Sequence, residues 1–335
     1  MAKLALVGAT GAVGQEMLKI MEERQFPVDE LICLADPKEA GTRVKFRGED
    51  LVVQAADEAV FKKADIAMFA AGTEVSKMLA PLARQHDCVV IDNSYAFRLQ
   101  DDVPLVVPEV NADDIAQHKG IIANPNCSTI LLVVAINPIH QAAGLKRVIV
   151  STYQAVSGAG KAGIYELEAH SQAALDGKEV QPEVFDYPIA FNLIPHIDVF
   201  VEEDYTREEM KMVWETRKIM HLPELKVAPT AVRVPVFRSH SESINLETQR
   251  PISVEEARQV FSQAPGIIVQ DDPANKKYPM PLYSSNRDEV YVGRIRKDIS
   301  TEQGLAFWIS ADQIRKGAAT NSLQIAEVVI EKNLY

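Results

Sequence analysis

Residues 3–21, KLALVGATGAVGQEMLKIM, decide the fold. A short apolar run ends at Gly8, a glycine-rich turn follows, and a helical pattern starts at once. Gly8, Gly11 and Gly14 form GxxGxxG rather than the commoner GxGxxG. Three glycines alone are a weak signal; a strand before them and a helix after them make it a strong one. The glycines allow close backbone approach, and the helix start offers free amides, which together suit a pyrophosphate. The turn therefore reads as a dinucleotide loop.

Strand and helix patterns go on alternating. ELICLAD (30–36) reads as a second strand, and DIAMFAA (65–71) and CVVIDNS (88–94) as later ones. GTEVSKMLAPLARQ (72–85) is the helix between those two. LVVPEVN (105–111) and GIIANPN (120–126) read as further strand material. Strands joined by helices in this way make an open parallel α/β sheet. Asp36 ends the second strand 22 residues past Gly14. An acid there takes ribose hydroxyls and favours NAD. Lys38 and Arg43 stand close by and suit a 2'-phosphate, so this stretch leaves NAD and NADP open.

From about residue 128 the pattern changes. ILLVVAINPIHQAA (130–143) reads as a helix, and LKRVIVSTYQAVSG (145–158) as a strand entering a glycine loop, SGAGKAG. TREEMKMVWETRKIM (206–220) and SVEEARQVFSQAP (253–265) are helical. LKVAPTAVRVPVFRSHSESINLET (225–248) alternates as a sheet with one covered face does. EVYVGRIRKDI and GLAFWISAD add strands. IRKGAATNSLQIAEVVIEKNL (314–334) is a long helix expected to pack back on the first domain. The expected architecture is a Rossmann-like dinucleotide-binding domain (1–127), an α+β catalytic and dimerisation domain (128–313) and a C-terminal helix (314–335).

The chain has 335 residues, 47% of them hydrophobic, enough for two cores. Its formal charge of -12 favours neither nucleic acid nor an anionic membrane as partner. No apolar run is long enough to cross a bilayer. Of the three cysteines, Cys33 and Cys88 sit in strand patterns and read as small buried hydrophobes. Three cysteines without pairing signals suggest a reducing compartment, so the expected location is cytoplasmic.

Cys127 differs. In NPNCSTILLVV (124–134) it stands among small polar residues at the mouth of an apolar helix. Aligned amides at a helix start stabilise a thiolate and lower its pKa below the free value of about 8.5. The neighbouring amides and Asn126 suit an oxyanion. From these residues alone, a nucleophile and a buried core cysteine both stand. A cysteine nucleophile needs a base. His240, in RVPVFRSHSES beside Arg233 and Arg238, is one candidate, and His196, in IPHID, is the other. The histidines form no dense ligand cluster, and no metal is expected. A thiolate combined with a nicotinamide cofactor suggests a hemithioacetal that is oxidised to a thioester.

The ordered set GATGAVG, IDNSYAFR, PLVVPEVN, IIANPNCSTI, TYQAVSGAGKAG, EEMKMVWETRKI, RVPVFRSH and RKGAATN resembles the aspartate-semialdehyde dehydrogenases of the bacterial type, over essentially the whole chain. The resemblance implies NADPH-dependent conversion of L-aspartyl 4-phosphate to L-aspartate 4-semialdehyde and phosphate, a step toward lysine, threonine, methionine and isoleucine. It implies that Cys127 is the acyl-enzyme nucleophile, His240 the acid/base and Gln154 the group orienting the intermediate. Arg233 would bind the α-carboxylate and Glu208 the α-ammonium. Arg98 and Lys211 would hold the phosphate, with Asn126 nearby. Glu208 and Lys211 are three apart, which puts them on one face of a helix. Gly8, Thr10, Gly11, Ala12, Val13 and Gly14 would follow the pyrophosphate. Ser157, Gly158 and Asn321 would line the nicotinamide side.

The departure from the family pattern is LADPKEAG (34–41). Asp36 would repel a 2'-phosphate and Lys38 would offset it, so NADP is expected and NAD is an alternative. The resemblance also implies a homodimer or higher homo-oligomer. Three rival readings are a reductase of another acyl phosphate such as N-acetylglutamyl phosphate, a non-phosphorylating aldehyde dehydrogenase, and a non-catalytic nucleotide-binding paralogue. An acetylated nitrogen carries no ammonium for Glu208 to pair with, which weighs against the first.

Overall fold

The computed structural model describes residues 2–335, which form two compact units. The first runs from the N-terminus through Asn126 and adds Gly317–Tyr335; the second is Cys127–Lys316. The junctions fall one residue before and three residues after those expected. Residues 314–316 stay with the second unit because Asp312 Oδ1 accepts from the Ile314 and Arg315 amides, and Arg315 Nε bonds Asp288 at 2.7 Å.

The first unit is Rossmann-like. Its strands are β1 (Ala2–Val7), β2 (Val28–Ala35), β3 (Arg43–Phe46), β4 (Glu49–Val52), β5 (Gln54–Ala55), β6 (Ile66–Phe69), β7 (Val89–Asp92) and β8 (Ile121–Ala123). Six of them form one sheet in the order β5-β2-β1-β6-β7-β8, with every pairing parallel. β3 and β4 form a separate antiparallel ribbon. Helices cover the sheet, so β1, β6 and β7 are near-continuous apolar runs. The C-terminal helix Thr320–Glu331 buries Leu323, Ile325, Ala326 and Val329 in the same core.

LVVPEVN is not a strand. Leu105 makes an isolated bridge to Ala123, and Pro108–Asn111 is a helical turn. Pro108 has no amide to give a ladder and its fixed φ suits the first turn of a helix. Asn111 locks the turn by accepting from the Val107 amide at 2.9 Å.

The second unit is built on a mixed sheet in the order β10-β9-β11-β14-β13-β12. Its strands are β9 (Leu145–Gln154), β10 (Lys226–Arg233), β11 (His240–Thr248), β12 (Ile267–Val269), β13 (Val290–Lys297) and β14 (Gly304–Ala311). β9 pairs parallel to β10 and antiparallel to β11. One face carries Val148, Val150, Ile244, Leu246, Leu305 and Phe307, all buried. Phe261, from the helix Val254–Gln263, meets Phe307 edge-on at 5.2 Å. The helix Cys127–Ala143 is apolar almost all round and is buried accordingly. SGAGKAG is not a loop: Val156–Ala159 makes a 3-10 turn, and Gly160 opens the helix Gly160–Leu175.

Candidate active site

The topology of the second unit gathers polar side chains at one end of its sheet. Gln154 is the last residue of β9, Arg233 is the last residue of its parallel neighbour β10, and His240 is the first residue of the antiparallel β11. Arg233 and Gln154 are register partners. An alternating pattern read along one strand cannot show this convergence; it needs the strand order.

Cys127 is the first residue of its helix, and its Sγ lies 3.5 Å from His240 Nε2. His240 is fully buried, and its Nδ1 accepts the Ala155 amide at 3.0 Å. An accepting Nδ1 leaves the neutral ring's proton on Nε2, facing the sulfur. Burial, with the Arg233 charge beside it, holds His240 well below the usual imidazole range, so the ring is neutral. His196, the rival, lies elsewhere: it pairs with Asp186 at 3.1 Å and stacks on Phe200. The other two thiols are buried, and burial pushes Cys33 up to about 11 and Cys88 to about 12, which makes both poor nucleophiles.

Arg233 is 7% exposed and donates from Nη1 to the Ala155 carbonyl at 2.7 Å. Ala155 thus braces the site with both backbone groups, its amide on His240 and its carbonyl on Arg233. A side-chain motif search has no means of finding such a residue. Gly158 sits against the same pair. A Cβ there would stand 2.8 Å from Arg233 Nη1 and 3.4 Å from the His240 ring.

Glu208 and Lys211 come from the helix Arg207–Ile219, which begins with a capping box between Thr206 and Glu209. Glu209 also accepts the Ala231 amide of β10 at 2.9 Å, which ties this helix start to the sheet. Glu208 is 6% exposed; its Oε1 accepts from Gln154 Nε2 at 3.3 Å and its Oε2 from Lys211 Nζ at 3.1 Å. Lys211 also bonds Asp198 at 2.9 Å. Burial alone would lower the Lys211 pKa, but the Glu208 and Asp198 carboxylates outweigh it and hold the ammonium above its ordinary value. Asp198 escaped the sequence reading because it lies in an irregular segment. Gln313 escaped it too: its Oε1 accepts the Ser239 amide and its Nε2 donates to Ser157 Oγ at 2.6 Å.

In the first unit, Gly8 has φ +87°, and a Cβ on it would stand 2.6 Å from the Ala70 carbonyl oxygen. A Cβ on Gly14 would lie 2.2 Å from Gly8 O. The helix Ala12–Glu23 starts at Gly11 with no side chain capping it, and Thr10, Gly11, Ala12 and Val13 form the turn. This tight turn with uncapped amides fits a dinucleotide pyrophosphate. Asp36 caps the next turn by accepting the Lys38 amide at 2.9 Å, and Thr10 Oγ1 donates to Glu39. Arg43 pairs with Asp50 across the ribbon at 3.8 Å. Asn321 is fully buried and donates to Val106 O and Asn124 Oδ1. Arg98 is 7% exposed and donates to Asn93 O at 2.7 Å; Asn126, buried, ends the unit's first segment.

Two family profiles match the chain: "Semialdehyde dehydrogenase, NAD binding domain" over residues 3–118, and "Semialdehyde dehydrogenase, dimerisation domain" over residues 136–316. The aspartate-semialdehyde dehydrogenase of Aquifex aeolicus is 55% identical, with 99% of each chain covered. That of Bacillus subtilis is 50% identical, over 99% of this chain and 98% of the other. The chain belongs to the bacterial aspartate-semialdehyde dehydrogenase family.

Solved members agree in fold. Aspartate semialdehyde dehydrogenase II of Vibrio cholerae, in a crystal structure complexed with ASA, superposes with a TM-score of 0.96 at 46% identity, covering 99% of this chain and 98% of that one. The Candida albicans enzyme, solved with NADP, gives 0.76 at 25% identity over the full length of both. As a member of the aspartate-semialdehyde dehydrogenases, the chain is an NAD(P)-dependent oxidoreductase acting on an aldehyde, in amino-acid biosynthesis. No helix among the described residues is long and apolar enough to cross a membrane.

Proposed function

We propose that this enzyme converts L-aspartyl 4-phosphate to L-aspartate 4-semialdehyde and phosphate with NADPH, through a thioester on Cys127. The observation that carries this reading is the Cys127 Sγ to His240 Nε2 approach of 3.5 Å, at a helix start and against a buried arginine. Cys127 thiolate adds to the acyl carbon, the bond to phosphate breaks, and a thioester forms. The nicotinamide cofactor, when bound, supplies the hydride that reduces it. The adduct then collapses, the carbon–sulfur bond breaks, and Cys127 leaves as thiolate. His240, the acid/base, offers its Nε2 proton to the oxyanion of each tetrahedral adduct and recovers it on collapse.

Arg233 takes the α-carboxylate with the fork that suits it, and Glu208 takes the α-ammonium. Gln154 orients the acyl group. Lys211 and Arg98 bind the phosphate, with Asn126 beside Cys127 in sequence. For the cofactor, Gly8 to Gly14 follow the pyrophosphate, and Ser157, Gly158 and Asn321 serve the nicotinamide side. Asp36 is engaged by the Lys38 amide, which supports NADPH over NADH with Lys38 as the cation for the 2'-phosphate. Exposed Tyr187, Phe191, Leu193, Val199 and Phe200 lie close in sequence in the second unit, and they support a homodimer formed there. Three cysteines, none of them in a disulfide, fit a cytoplasmic location.

The test is the initial rate of NADP and NAD reduction by L-aspartate 4-semialdehyde, with and without phosphate. Phosphate-dependent turnover, faster with NADP, is expected. Turnover that ignores phosphate would contradict the acyl-phosphate reading.

A further inference from the structure

Glu166 lies on the helix Gly160–Leu175 and is 8% exposed. Its carboxylate accepts three consecutive backbone amides. Oε2 takes Glu183 at 2.9 Å and Val184 at 2.6 Å, and Oε1 takes Phe185 at 3.3 Å. Residues 183–185 belong to no helix or strand, so no ladder satisfies these amides. Amides on a carboxylate make strong bonds, and three in a row clamp the main chain at 183–185 to the helix. Asp186, the next residue, is tied to His196 at 3.1 Å.

The side chain that this clamp places is Phe185. It packs against the small core of Val156, Leu167, Ile189 and Ile194. A Cβ on Gly163 would stand 3.2 Å from Phe185 Cζ, so the bare glycine leaves the room that the ring needs. The ring reaches the site: Arg233 Cζ lies over it, 5.8 Å from its centroid. A guanidinium within about 6 Å of an aromatic face is attracted by the ring quadrupole, more strongly where water is excluded. Arg233 also donates from Nη1 to the Ala155 carbonyl at 2.7 Å. A single hydrogen bond fixes one nitrogen and leaves the group free to turn about it. A ring against the guanidinium removes that freedom. A planar fork reads a carboxylate through two parallel bonds, so its plane matters as much as its place.

We propose that Phe185 is a positioning residue for this reaction: its ring sets the plane in which Arg233 presents its guanidinium, and Glu166 holds the ring there through the backbone of 183–185. The proposal rests on the reading of Arg233 as the group that takes the α-carboxylate.

The test is steady-state kinetics of the full-length enzyme with L-aspartate 4-semialdehyde, NADP and phosphate. Phe185→Leu keeps an apolar side chain and loses the aromatic face. It lowers kcat/KM for the aldehyde by roughly 5- to 30-fold, the scale of a desolvated contact of this kind. The KM values for NADP and phosphate stay within about 2-fold, since neither ligand meets Arg233 in this reading. Glu166→Ala frees the three amides and has the same pattern of effects. In an Arg233→Lys background, which lacks the planar fork, Phe185→Leu costs less than about 2-fold more, because the two act on one link. A loss of packing alone would add in full to the Arg233→Lys loss. Wild-type kcat/KM in Phe185→Leu or in Glu166→Ala overturns the proposal. So does an additive double variant, or an equal rise in all three KM values. Should Glu166→Ala fail to fold, Phe185→Leu and the double variant decide alone. Wild-type kcat/KM in Arg233→Lys would overturn the α-carboxylate reading and take the proposal with it. Failure of the underlying function looks different again, because the wild-type enzyme itself would not turn over.

Discussion

Cys127 Sγ and His240 Nε2 stand 3.5 Å apart, although 113 residues separate them in the chain. A helix start holds one and the first residue of β11 holds the other. The Ala155 amide on Nδ1 decides which imidazole nitrogen carries the proton that faces the sulfur.

Removing the sulfur should stop the chemistry and spare the fold. Cys127→Ala is expected to lower kcat by about 10⁴-fold or more, the scale seen when a covalent nucleophile is lost. Its circular dichroism and thermal midpoint should match wild type. Residual turnover above about a tenth of wild type would remove Cys127 from the mechanism.

Arg233→Lys keeps the charge and loses the planar fork. A drop in kcat/KM for L-aspartate 4-semialdehyde of about 10²-fold is expected, with a larger drop for Arg233→Ala. Unchanged kcat/KM in both would assign the α-carboxylate to another group.

Stability should respond to pH with opposite signs through His240 and Glu242, a fully buried carboxyl two residues further along β11. The folded chain holds His240 neutral below the ordinary imidazole pKa of about 6.5, whereas the unfolded chain protonates there; this term lowers stability as pH falls below about 6.5. The folded chain keeps the Glu242 proton above about pH 4.3, where the unfolded chain loses it, so this term lowers stability as pH rises past that point. Glu242→Gln removes the second slope. Its thermal midpoint should exceed wild type by about 3 °C or more at pH 8 and converge with it near pH 4. A constant offset across that range would show that Glu242 does not carry the slope.

Asp36→Ser should raise the ratio of NADP to NAD kcat/KM, by about 5-fold or more if a carboxylate close to the 2'-phosphate is lost. An unaltered ratio would place cofactor choice elsewhere.

Gly14→Ala tests the cofactor loop as a packing problem. Its new Cβ would lie 2.2 Å from Gly8 O, so the loop must shift. A loss of about 1–3 kcal/mol in stability, measured by denaturant unfolding, is expected together with weaker dinucleotide binding. Wild-type dinucleotide affinity would show that the turn does not hold the pyrophosphate.

Much of this was legible in the chain because several signals agreed on each element. GATGAVG lies between a strand and a helix, and Glu208 and Lys211 share a helix face because three residues separate them. LVVPEVN misled because apolar content suggests a strand, whereas Pro108 withholds a ladder donor and favours a helical turn. SGAGKAG misled because glycine suggests a loop, whereas the chain turns once and enters a helix. The choice between His196 and His240 required the order of β9, β10 and β11, which periodicity does not encode. Ala155, Asp198 and Gln313 were missed for a common reason. Each acts through a backbone group or an irregular segment, and neither of these leaves a spacing to read.

The central claim is a covalent acyl group on Cys127, and one measurement addresses it directly. The enzyme is mixed with L-aspartate 4-semialdehyde and NADP in the absence of phosphate, quenched in acid, digested and analysed by mass spectrometry. The account requires the peptide containing Cys127 to gain the mass of an aspartyl group as a thioester, and to lose it when phosphate is added before the quench. An unmodified Cys127 peptide alongside stoichiometric NADPH formation would contradict it.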